Sequence, residues 1–167
     1  MTEQHYALRE YVLLREKYES LNLYALVDGI QFDRVFDEQL KADRGVRSLF
    51  SLPEDKFFAF AGPWLLDISK LSREHLVKII QLEEKYPAVS WIISEKPYVT
   101  LARHLEPNLM VTLPTKENGL FRFYDCRVLK ILPELLSPEQ FTQLMKYSLR
   151  WLFISNGQVV RYQRDIE

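Results

Sequence analysis

The sequence has few of the residues that most often signal chemistry. Its 167 residues include one cysteine, five glycines and three histidines. A lone Cys126 excludes an intramolecular disulfide, and a cysteine-based zinc site lacks its further ligands. With so few glycines there is neither a dinucleotide fingerprint nor a phosphate loop. His5, His75 and His104 fall on three separate predicted helices without an HxxxH or HxH pair, so they are expected at the surface. No cofactor and no metal are therefore expected.

Charge of one sign is lacking too. Twenty-two basic and 23 acidic residues leave a net charge of −1, so there is no field to draw in nucleic acid or an anionic membrane. No run reaches the roughly 20 apolar residues that span a bilayer. The opening "MTEQHYALREYV" is broken by charges and has no signal-peptide core. These features predict a cytoplasmic protein with neither nucleic-acid nor membrane partners.

What is present is a globular composition: 47% hydrophobic, 13% aromatic and 27% charged. That balance fits one domain over residues 1–167, with enough aromatics to leave some sticky surface. "EQHYALREYVLLREKY", residues 3–18, has helical spacing. "LNLYALVDG" is apolar on both alternating faces, as in an interior strand ending at Asp28 and Gly29. A helix over about 32–41 is predicted next. Gly62-Pro63 marks a turn before a short strand at 64–68.

Ser72 caps a predicted helix over 71–86, with Leu71 and Leu76 as its hydrophobic staple and Pro87 as its stop. "AVSWIISEK" reads as another strand and 98–105 as a helix. "NLMVTLP" and "LFRFY" flank a loop with Asn118-Gly119 near its end, in hairpin fashion. Ser137, Pro138 and Gln140 form a capping box, and Asn156-Gly157 is the type I′ turn of a closing hairpin. The expected fold class is α/β or α+β, a single layered domain with a mixed β-sheet flanked by helices.

Candidate chemistry is sparse. Cys126 at a helix start is the candidate nucleophile, with His75 or His104 as a base if the fold brings one close; packing as a small residue is the plainer expectation. The pairs Glu54-Asp55 and Glu83-Glu84 read as solvated charge. Asp28, at the carboxyl end of a buried strand, stands either where ligands gather in open sheets or as an acceptor for turn N–H groups. Trp64, Trp91 and Trp151 sit in strand-like runs and are expected in the core.

One stretch, "LFRFYDCRVL", sets Arg122, Tyr124, Asp125 and Arg127 close together beside a run of large apolar side chains. As a strand it sends Phe121 and Phe123 one way and Arg122 and Tyr124 the other, and would then place Asp125 on the apolar side, a costly position for a charge. The strand is therefore expected to stop there. Asp125 becomes the cap of a helix with Cys126 at its first position and Arg127 at its second, and Val128, Leu132 and Leu135 form its apolar stripe. Arg122 or Arg127 is placed to pair with Asp125.

"GLFRFYDCRVL", together with "LYALVDG", "AGPWLLDIS" and "SPEQFTQLM", resembles the adaptor or effector-chaperone family of bacterial type VI secretion, catalogued as a domain of unknown function. Order and rough spacing agree, and the blocks span most of the chain. Members usually carry RFYDPR at the junction, where Cys126 stands here in place of proline. The resemblance implies a non-catalytic cytoplasmic protein that binds a cognate toxic effector, often through a PAAR-containing part, and helps load it on the VgrG spike. Arg122, Tyr124, Asp125, Arg127 and Asp28 are the candidate partner-binding or motif residues. The alternatives are a small cysteine-dependent enzyme and a structural subunit of a larger complex.

Overall fold

A computed structural model describes residues 5–50 and 57–164; the Glu54-Asp55 pair lies outside the described residues. At its centre is β1 (Asn22–Asp28), whose alternating pattern is apolar on both sides. It pairs antiparallel with β3 (Pro63–Asp67) on one edge and β4 (Val89–Ser94) on the other. Outside these lie β2 (Val46–Ser48), β7 (Arg150–Ser155) and β8 (Gln158–Gln163), giving the order β2-β3-β1-β4-β7-β8. Every ladder in it is antiparallel, so of the two fold-class alternatives α+β describes the domain. β5 (Met110–Thr112) and β6 (Asn118–Leu120) form a separate hairpin.

Helices cover both faces, and alternation along the strands divides the core between them. One side packs Leu23, Ala25, Val27 and Trp91 beneath α1 (Tyr6–Leu14), α2 (Gly29–Phe36) and α3 (Arg73–Lys85). The other packs Tyr24, Leu26, Ile92, Trp151 and Phe153 beneath α4 (Tyr98–Leu105), α5 (Cys126–Leu129), α6 (Leu132–Leu135) and α7 (Pro138–Leu144). Trp64, Trp91 and Trp151 are all buried, as expected. At about 25 cal/mol per Å2 and roughly 200 Å2 each, every indole contributes at most on the order of 5 kcal/mol.

Local signals act where they were read. Ser72 Oγ accepts from the His75 N–H, Ser137 and Gln140 close their box, and Asn156 and Gly157 both take positive φ, 52° and 74°. Four expectations are corrected. The second helix covers 29–36 rather than 32–41, because Asp28 caps it directly from the strand and Asp37 ends it in the left-handed region, at φ 49°. Asn118-Gly119 lies inside β6 rather than in the loop. The strand stops at Leu120, so Phe123 and Tyr124 do not alternate; both are buried in a turn. The stripe of the short helices is Cys126, Leu129 and Leu132, while Leu135 is 53% exposed.

Candidate functional site

Three segments meet at one end of the sheet. The Asp28 N–H donates to the Ala88 carbonyl (2.9 Å), Gly29 to Gly62 (2.8 Å) and Cys126 to Pro87 (3.1 Å). The carboxyl end of β1, the entry to β4 and the start of α5 are thereby tied together, and Asp28 comes beside the Arg122–Arg127 segment. The approach at Gly29 is close: a Cβ there would sit 2.0 Å from the Phe60 carbonyl oxygen. Only glycine fits that position.

Each carboxylate of the corner caps a helix. Asp28 Oδ1 accepts from Ile30 N–H at 3.2 Å, and Asp125 Oδ1 from Arg127 N–H at 2.9 Å. Arg127 also places its Nε 3.0 Å from Asp125 Oδ1 and its Nη2 2.7 Å from Oδ2. Arg122 lies over the Tyr124 ring, 5.7 Å from its centroid, in cation–π fashion. Both arginines remain exposed, whereas Tyr124 and both aspartates are buried. The five sequence-predicted residues are thus brought into one corner.

The two carboxyls titrate in opposite directions. Burial raises Asp28, reinforced by the charge of Asp125 and only partly offset by the Ile30 N–H and Arg122. Burial also acts to raise Asp125, but the side-chain and backbone bonds from Arg127 and the charges of both arginines outweigh it, so its carboxyl stays below the usual range. Burial raises Tyr124 as well, against the pull of Arg122.

Cys126 is 3% exposed, and its thiol donates to the Val89 carbonyl at 3.3 Å. Burial first, then the charges of Glu83, Asp125 and Asp28, push the thiol up to about 12. A nucleophilic cysteine needs the reverse, a lowered pKa beside a cation. The histidines named as bases bond elsewhere, His75 to Ser72 Oγ and His104 to the Leu144 carbonyl.

A second polar cluster went unread. The Glu83 carboxylate accepts from Tyr6 Oη (2.6 Å) and Trp91 Nε1 (2.8 Å), and lies 2.6 Å from His5 Nε2. Side-chain exposure is 8% for His5 and 7% for Glu83, which corrects two expectations: His5 is not a surface histidine and Glu83 is not solvated charge. Burial, then the charge and hydrogen bond of Glu83, push the Tyr6 phenol far up. The signal was available, because Leu76, Ile79, Ile80 and Glu83 share helical spacing, so the carboxylate falls on the apolar stripe of α3. Among the described residues no group of three or more His, Cys, Asp or Glu side chains is placed to hold a metal ion. Nor is any helix among them long and apolar enough to cross a membrane.

Fold and corner together define a layered α+β domain whose polar motif joins a strand end to a helix start. The chain belongs to the family described as domain of unknown function DUF4123, whose sequence profile matches residues 23–143, from β1 to the last turn of α7. Searches of curated proteins and of solved structures return no match.

Proposed function

We propose that this protein is a non-catalytic adaptor that binds a cognate type VI secretion effector and helps present it to the VgrG/PAAR spike. The observation that carries this reading is the family match over 23–143 together with the RFYD block at the corner. There the aspartates are spent on helix caps, and Arg122 and Arg127 are left facing outward. A protonated, buried thiol at Cys126 favours a binding role over the cysteine-enzyme alternative. Exposed arginines, Arg127 held by the buried Asp125 carboxylate and Arg122 lying over the Tyr124 ring, suit protein recognition, where Arg is enriched. The compartment that follows from this role is the cytoplasm.

The test is co-expression with the products of neighbouring effector and spike genes, followed by purification through a tag on one partner. A stable complex that weakens in Arg122→Ala or Arg127→Ala, with folding unchanged, is the expected result. Failure to co-purify with any of these products would sink the proposal.

A further inference from the structure

On α1 the side toward the sheet carries the buried Ala7 and Leu14, with Tyr6, Leu8 and Tyr11 packed partly buried beside them. The opposite side carries Val12 at 49% and Leu13 at 66% exposure. At 100° per residue, Arg9, Val12 and Leu13 fall on one stripe of the helix, and Glu16 lies in the turn that follows it, one residue past the C-cap Arg15. Glu10 on the same helix pairs with Arg161 and Arg150, and Arg15 at its C-cap lies over the Tyr11 ring. Neither the Arg9 nor the Glu16 side chain bonds to any described residue. Beside the stripe, α1 and β8 bound a concavity of about 530 Å3 whose lining includes Tyr6, Leu13, Leu14 and Val159.

With Glu16 the stripe is self-complementary. Arg9 and Glu16 stand three residues outside Val12 and Leu13, one on either side. A two-fold axis through Val12 and Leu13 therefore lays two antiparallel copies of α1 together with each Arg9 facing the other copy's Glu16. Such an isologous contact makes every pairing twice, and each Leu13 meets the apolar lip of the other copy's concavity. A parallel arrangement would oppose like charges.

We infer that the outer face of α1 is a self-association surface, occupied by a second copy of this chain in antiparallel register. The inference goes beyond the adaptor role and does not rest on it. A nine-residue helix is about 13.5 Å long, so with the adjoining strand the contact is at the small end of specific interfaces and association is weak.

Sedimentation of the full chain between about 1 and 300 µM tests it, since a contact of this size is expected in the micromolar range. Wild type is expected to shift from monomer to dimer within that range. Arg9→Glu alone and Glu16→Arg alone each create two like-charge contacts and are expected to weaken dimerisation about tenfold or more. An equimolar mixture of the two variants, which restores both opposite-charge pairs in a heterodimer, is expected to recover it. Because all four residues are exposed, melting curves of the variants should match wild type. A wild-type chain that stays monomeric throughout overturns the inference, as does a mixture no better than the single variants. If Leu13→Glu abolishes capture of a co-expressed effector while wild type alone stays monomeric, the face belongs to that partner instead.

Discussion

Asp125 holds Arg127 twice, through the helix-capping bond to its backbone N–H and through a two-pronged contact with its guanidinium, while being only 5% exposed itself. Removing the carboxylate takes away the cap and frees the arginine. Asp125→Ala is expected to cost about 1–2 kcal/mol at neutral pH, with Asp125→Asn recovering part of it. The loss should shrink in acid. A carboxyl lowered by folding stabilises above its unfolded pKa of about 3.9 and ceases to as pH falls through the folded value. Urea unfolding across pH checks this, and equal stability of wild type and Asp125→Ala at pH 7 would refute the capping role.

Asp28 has the opposite sign. Its carboxyl is raised by burial, so the native state binds its proton more tightly than the unfolded chain. Stability from this group therefore falls as pH rises from about 3.9 through the folded value. Asp28→Asn keeps an oxygen for the Ile30 N–H and removes the buried charge. The variant is expected to be at least as stable as wild type at pH 7 and to lose that advantage near pH 3.5. A clear destabilisation at pH 7 would show that Arg122 depends on Asp28 more than burial opposes it.

Backbone crowding at Gly29 separates it from the other glycines. An added Cβ meets the Phe60 carbonyl oxygen at 2.0 Å, with Gly62 O and Trp64 Nε1 at 2.9 Å. At Gly157 it meets nothing within 4 Å, although φ is 74°. Gly29→Ala is therefore expected to cost about 3 kcal/mol or more through overpacking, and Gly157→Ala about 1–2 kcal/mol from its left-handed backbone alone. Comparing the two melting temperatures checks the order.

How much of this was legible follows from what each signal depends on. Caps and turns were readable because they are local: Ser72, Asp125, Ser137 and Asn156-Gly157 act within three residues of themselves. β1 and β4 were readable because both their faces are buried and their runs are apolar throughout. The second helix was misplaced because Asp28 serves as strand end and cap at once, and a residue in two roles leaves no punctuation between the elements. The five motif residues were named from sequence, but their meeting in one corner depends on the long-range bonds from Asp28 to Ala88 and Cys126 to Pro87. The burial of Glu83 was legible in the spacing of α3, but its partners were not, since His5 lies 78 residues away.

That cluster makes its own demand on stability. Glu83→Ala leaves the Tyr6 hydroxyl, the Trp91 N–H and His5 without their acceptor in a buried setting. Unsatisfied buried donors cost roughly 1–3 kcal/mol each, so a loss of about 3 kcal/mol or more is expected, with faster amide exchange in α1. Glu84→Ala, one position along and exposed, is expected to change stability by no more than about 0.5 kcal/mol. Similar small losses for both would mean that the network does not anchor α1.

Cys126 offers two readouts from one side chain. Its thiol, pushed up to about 12 chiefly by burial, lies well above the value near 8.5 of a free cysteine, so at neutral pH it stays protonated. A thiol reagent at pH 7.5 should leave the folded protein essentially unlabelled and modify it fully in denaturant. The same shift fixes a pH slope. Between about 8.5 and 12 the unfolded chain has released a proton that the native state keeps, so stability falls as pH rises, and Cys126→Ala should remove this share of the alkaline loss. The backbone adds a separate test, because the Cys126 N–H donates to the Pro87 carbonyl at 3.1 Å. Cys126→Pro suits the first helical position, but it deletes that bond. A net cost of about 1 kcal/mol is expected; a gain in stability would mean that the tie to Pro87 contributes nothing to the corner.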